Sequence, residues 1–547
     1  MSKRKPGRSR QLEFVGSARL FGLCALNIVM ALLLGGGARS GFLGDAIIQV
    51  LAIPLLVLSL WRLLQSQPTA QVRVAAGFCL SIVVLPLLQL VPLPAMIWTA
   101  LPGRQALVTN LALISPNTPW LPLSVTPHAT WLSALAILPP IALFLGTIQL
   151  TGRYRRQLTL IILLVAMASV FLGLVQVAQG TSSGLRFFDY TNNSEAVGFF
   201  ANRNHLAALL YASTLFVAAW VVDTGLGFDT QAGSASRSSF DTLRMVSLVA
   251  GLTAMVLFVT AQAMARSRAG LGLSIVALFG TFALAYSGQA ATSKWTPSRL
   301  MAAAIGLAFL FATQFALYRI MERFADDPLA DARIPFARNT ITAALQNMPF
   351  GTGLGSFVQV YGGFERPQDT LANTFANHAH NDFLELWLET GVFGIAGVAC
   401  FVVWFSQRTF EIWARKRSGA VGVDALLAQA ATLVAALLLV HSVVDYPLRT
   451  TALAMVFAFC CALLIPARRQ TLLPAARETR VVGDGKSGSE PPAAPQSSLS
   501  RSSGNPVRGA AGRWGEELEW PDQWRRKTAS PASPKPRPAD FDEPSDE

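Results

Sequence analysis

Long apolar runs alternate with short polar connections along most of this chain. A helix needs about 20 such residues to cross about 30 Å of hydrocarbon. Runs of that kind fall near 18–36, 42–61, 74–100, 129–150, 158–178 and 198–222. Others follow near 245–264, 269–287, 300–318, 383–407, 425–444 and 450–466. The pattern predicts an all-α, polytopic membrane protein with about twelve transmembrane helices. Residues 1–17 form an N-terminal segment, and 18–466 a single membrane domain interrupted by one large loop, 320–382. Beyond it, 467–547 is rich in Pro, Ser, Gly and Ala with scattered charge, the composition of a disordered tail.

Composition agrees. Hydrophobic residues make up 52% of the 547, charged residues only 14%, and the mean hydropathy is +0.43, which excludes an ordinary soluble domain. The net charge of +13 sits mostly in short loops, among them Arg62, Arg73, Arg153, Arg155, Arg156, Arg408 and Arg415. That bias fits the positive-inside rule and anionic lipid better than a nucleic-acid-binding stripe. It places both termini in the cytoplasm and the 320–382 loop outside. Lys3-Arg4-Lys5 leads into a first span without a convincing cleavage site, so no cleavable signal peptide is expected. The five cysteines all fall in apolar segments without metal-ligand spacing, and no metal or cofactor is expected.

Polar chemistry collects at the outer ends of the spans. His378-Ala-His380-Asn381-Asp382 and Glu385 stand where the 383–407 run begins, and His128, His205 and His441 fall on the same side. Asp382-x-x-Glu385 resembles a capping box. Asn381, Glu385 and Glu389 recur on one helical face, which must turn to a cavity or to basic partners because carboxylates in lipid are costly. An imidazole exchanges protons near neutral pH, so His380 is the candidate acid–base group. Arg266-Ser267-Arg268-Ala-Gly270 fixes two cations in a tight outer turn suited to an anion such as a diphosphate, with Arg333 able to reach it from the large loop. Arg203 and His205, in Asn202-Arg203-Asn204-His205, either line a cavity or satisfy helix-end groups. His441-Ser-Val-Val-Asp445 adds a polar rim. Gly351-Thr-Gly353-Leu-Gly355 lacks the lysine of a nucleotide loop and reads as a turn packing the large loop onto the membrane domain.

His380-Asn381, nine residues, then Gly391-x-x-Gly394, behind a long outer loop, resembles the O-antigen ligase and O-antigen polymerase superfamily. The Ser267-Arg268-Ala-Gly turn, the Arg333 region, Pro349-Phe-Gly-x-Gly353 and His441-Ser-x-x-Asp445 are similar too, over roughly 190–460. The resemblance implies a GT-C-like, inverting glycosyltransferase of the bacterial inner membrane, its active site facing the periplasm. Its donor would be a glycan on undecaprenyl diphosphate. Its acceptor would be another glycan or lipid A–core, in O-antigen or exopolysaccharide assembly. His380 would be the catalytic base, and Arg268 and Arg333 would hold the diphosphate; Arg266, Arg203, His205, His378, Asn381 and Glu385 are further substrate-binding candidates. Membrane lipid and other polysaccharide-assembly proteins are the remaining expected partners. Two other classes share the span count: a transporter of lipid-linked glycan and a non-catalytic assembly scaffold. Sparse mid-span charge speaks against an ion-coupled transporter.

Overall fold

The computed structural model describes residues 8–37, 43–115, 117–189, 191–229, 239–288, 328–370, 376–414 and 422–467. The expected span at 300–318 and all but the first residue of the expected 467–547 tail lie outside them. Three helices open the chain: α1 (Arg8–Leu34), α2 (Leu43–Gln65) and α3 (Ala70–Gln89). The Thr69 side chain accepts from Val72 N at the start of α3. The apolar pattern continues to residue 100, but the helix stops at Gln89. Pro92 and Pro94 lack the N–H groups a helix needs, and the chain turns instead into a two-residue antiparallel ladder. There β1 (Pro92–Leu93) pairs with β2 (Leu121–Pro122), and the short helices α4 (Ala95–Trp98) and α5 (Gln105–Ala112) lie between them.

The bundle continues with α6 (Pro127–Thr147), α7 (Gly152–Ala178), α8 (Arg203–Asp229), α9 (Ser239–Ala265) and α10 (Arg268–Gly288). The large loop is partly helical, carrying α11 (Pro328–Gln346) and α12 (Phe357–Tyr361). Next come α13 (Asp382–Ala414), α14 (Val423–His441) and α15 (Thr451–Leu463). Among the described residues ten helices are long and apolar enough to cross a membrane, and α15 is a shorter apolar helix. Each coincides with one of the predicted runs.

α8 is the central helix. Its Arg203–Gly225 window is 94% buried, against 17% for the corresponding window of α9, so α8 is sheathed in protein while α9 faces outward. It packs on α9, α10 and α14. Small residues allow the close approaches: a Cβ on Gly270 of α10 would lie 2.4 Å from Ala207 Cβ. At the end of the bundle away from α8's first turn, Arg155 donates to the carbonyls of Thr147, Ile148, Ala462 and Ile465, and Arg408 donates to Leu464 O. Two buried guanidinium groups thus satisfy the orphan carbonyls ending α6 and α15.

Candidate active site

At the opposite end, α13 begins at Asp382, and Asn381 caps it. Asn381 Oδ1 accepts from Phe383 N and Leu384 N, at 3.0 Å each, while Asn381 Nδ2 donates to Val443 O. This replaces the capping box predicted from Asp382 and Glu385, because both carboxylates are engaged elsewhere. Asp382 accepts from Ser442 Oγ and Leu448 N. Glu385 accepts from Ala379 N and pairs with His378 Nδ1 at 2.9 Å. The acids therefore staple the loop before α13 to the turn after α14.

That turn, 442–450, holds the key polar groups. Asp445 is fully buried; its Oδ1 lies 3.2 Å from His380 Nδ1, and its Oδ2 accepts from Asn204 Nδ2 at 2.8 Å. Burial alone would raise its pKa, yet the hydrogen bond with His380 and the nearby imidazoles hold it well below the usual carboxylate range. An ionised carboxylate only accepts, so His380 Nδ1 carries the hydrogen, and in the neutral imidazole Nε2 is then the nitrogen with the lone pair. The His380 side chain keeps 14% exposure where Asp445 has none, so the imidazole is the member of the pair open to a ligand. His380 also sits at φ +51°, a left-handed conformation costing a non-glycine residue roughly 1–2 kcal/mol. Such strain persists where the surroundings over-determine it, commonly at functional sites.

Tyr446 is the hub of the ring packing. Its centroid lies 4.2 Å from that of His378, 5.0 Å from His380 and 5.1 Å from His205. Burial pushes the pKa of its hydroxyl above the ordinary tyrosine value, and the side chains of Asn377, in the loop before α13, and Asn202, just ahead of α8, lie close enough to temper that rise. Phe336 of α11 stacks on His380 at 5.9 Å, which brings Arg333, one turn earlier on α11, toward the same place. Arg333 also lies within electrostatic reach of His441.

A second cluster lies beside the first. Arg449 approaches Asp382 at 3.7 Å, Glu385 at 3.3 Å and Glu389 at 2.9 Å. Burial would lower its pKa, but the three carboxylates raise it, so it remains a cation. The Glu385/Glu389 face predicted to need a cavity or basic partners thus meets an arginine. At Gly391 helical geometry breaks, with φ +59° and ψ −138°. The break admits the glycine turn of the large loop: Val392 N donates to Pro349 O, Thr352 N to Leu388 O, and Gly353 N to Glu389 O.

Four of the five histidines converge here; His128 stands exposed at the start of α6. His380, His378, His205, Asn381 and Glu385 share the site. Arg268 opens α10 behind the Ser267 cap, where Gly270 meets α8 two residues past His205. Arg203 is paired with Glu195 at 2.9 Å, and Arg266 is exposed in the turn before α10. Sequence reasoning gave no role to Tyr446, Phe336 or Tyr211, which look like ordinary core aromatics. It placed Asp445 on a polar rim without pairing it to His380. No group of three or more His, Cys, Asp or Glu side chains suited to a metal ion occurs among the described residues.

The helices and this end of the bundle define a polytopic, all-α membrane protein with a buried imidazole–carboxylate centre. Residues 253–399 match the family model described as O-Antigen ligase, which places that segment in the O-antigen ligase superfamily. The family is one of ligase- and polymerase-type membrane glycosyltransferases, taking a lipid-linked glycan and an acceptor in general terms. The matched stretch includes Arg268, Arg333, His380 and Gly391, and stops short of His441, Asp445, Tyr446 and Arg449. No curated protein matches the chain.

Proposed function

We propose that this protein is an inverting glycosyltransferase moving a glycan from undecaprenyl diphosphate to a sugar acceptor at the periplasmic face of the inner membrane. The work lies in O-antigen or exopolysaccharide assembly, as polymerase or ligase. The acceptor hydroxyl attacks the anomeric carbon, His380 Nε2 takes its proton, and the bond to the diphosphate breaks with the electron pair leaving on oxygen. Arg268 and Arg333 hold the departing diphosphate, whose developing charge is the main quantity to stabilise. Asp445 fixes the imidazole's tautomer and direction. One observation carries the reading: the 3.2 Å contact of His380 Nδ1 with the buried Asp445, which leaves Nε2 as the basic nitrogen.

The test uses the full chain in lipid nanodiscs with an undecaprenyl-diphosphate-linked glycan and a glycan acceptor. His380→Ala should lower transfer by about 100- to 10,000-fold while the protein still inserts and elutes normally. A well-expressed variant with normal glycan output overturns the assignment, and glycan movement without a covalent product points to a transporter. In cells, deletion separates the two roles: single lipid-linked repeats accumulate if a polymerase is lost, and long lipid-linked chains beside bare core if a ligase is lost.

A further inference from the structure

His441, the last residue of α14, is fully buried beside this site, and the mechanism above does not use it. Its Nδ1 lies 3.2 Å from the hydroxyl of Tyr211, itself buried on α8. Its Nε2 is buried with no hydrogen-bond partner among the described residues. The ring is within electrostatic reach of both Asp445 and Arg333, and Arg333 Nε is likewise buried without a hydrogen-bond partner.

The tautomer follows from counting donors. Tyr211 has one O–H to give, and His441 Nδ1 is its one hydrogen-bond partner among the described residues. If Nδ1 carried the hydrogen, the tyrosine O–H and the Nε2 lone pair would both be stranded. If the tyrosine donates to Nδ1, one stranded group remains, the Nε2–H. Burial makes each stranded group costly, so the second arrangement is favoured. An N–H held in this way in a buried place calls for an acceptor oxygen from outside the chain, which a ligand or an ordered water would supply.

We propose that His441, its tautomer fixed by Tyr211, donates its Nε2–H to an anionic oxygen of the ligand, in a subsite shared with Arg333. The ligand class is a diphosphate, and that choice rests on the glycosyltransferase reading. A neutral imidazole suits the task because it adds a directed donor without a further charge among four clustered histidines. Tyr211 acts through His441 and is a positioning residue.

The full chain, labelled with ¹⁵N-histidine in nanodiscs, should show His441 as the Nε2–H tautomer. Its signal is assigned by its loss in His441→Gln. Tyr211→Phe should let the ring exchange between tautomers. Inorganic pyrophosphate, used as the probe, should shift the Nε2–H resonance. Its affinity should fall roughly ten- to a hundredfold in His441→Phe, as expected for a lost hydrogen bond to a charged group. His441→Gln, which keeps a donor, should recover part of that loss and serves if the Phe variant does not fold. The assignment is overturned by an Nδ1–H tautomer, by absence of pyrophosphate binding, or by equal affinity in wild type and the donorless variant. In the last case water alone occupies the N–H. None of these readouts needs glycan transfer, so a wild-type protein that binds pyrophosphate but transfers nothing refutes the enzyme reading alone.

Discussion

Asp445 and His378 show how single side chains set the chemistry. Asp445→Asn keeps the shape but can donate to His380 Nδ1, which puts the imidazole hydrogen on the wrong nitrogen. The expected result is a fall in kcat of about 100-fold or more with KM little changed, read in single-turnover transfer. His378 makes a pH prediction. Burial would lower its pKa, but the charge of Glu385 and the hydrogen bond with it outweigh that and raise it. A raised folded value means its contribution to stability is complete below the unfolded value of about 6.5 and is lost as pH rises through the folded one. Thermal unfolding midpoints should therefore decline across that window in wild type, and His378→Gln should flatten the decline. The histidines and acids at 378–389 were legible because charged and imidazole groups beside an apolar run demand an explanation. Tyr446 and Phe336 were not, since an aromatic ring in such a chain looks the same whether it packs lipid, core or a histidine.

α13 carries the clearest lesson about elements. Periodicity gave its existence and its start near 383, but not the break at Gly391, which depends on what docks there. A Cβ on Gly391 would lie 2.0 Å from Pro349 O, and one on Gly351 would lie 2.7 Å from Gly391 N. Gly391 also holds φ +59°. Gly391→Ala should therefore expel the 349–355 turn and destabilise the protein by more than about 2 kcal/mol, seen as a lower denaturation midpoint in detergent. The third run shows the converse error: its apolar letters continue to residue 100, yet two prolines convert the last part into a ladder and a short helix. Apolar composition alone does not distinguish a span from a segment packed at its end.

Over the whole molecule, the site is assembled from α8, α11, the loop before α13 and the turn after α14. Arg449 locks that assembly. Arg449→Met leaves three buried carboxylates without their cation and should cost about 3–5 kcal/mol, whereas Arg449→Lys keeps the charge and should cost less. Chemical denaturation of both variants in the same detergent checks the order. The sequence by itself determined the class of protein, the positions of most spans and the rare residues able to do acid–base and anion chemistry. Those depend on transfer of apolar helices out of water and on side-chain type, both properties of local sequence. Only the tertiary structure decided which rare residues meet: Asp445 comes to His380 across 65 positions, Asn204 across 241, and Arg449 finds three acids on another helix. Such pairings come from helix packing and from the need to satisfy every buried polar group, and spacing along the chain carries neither.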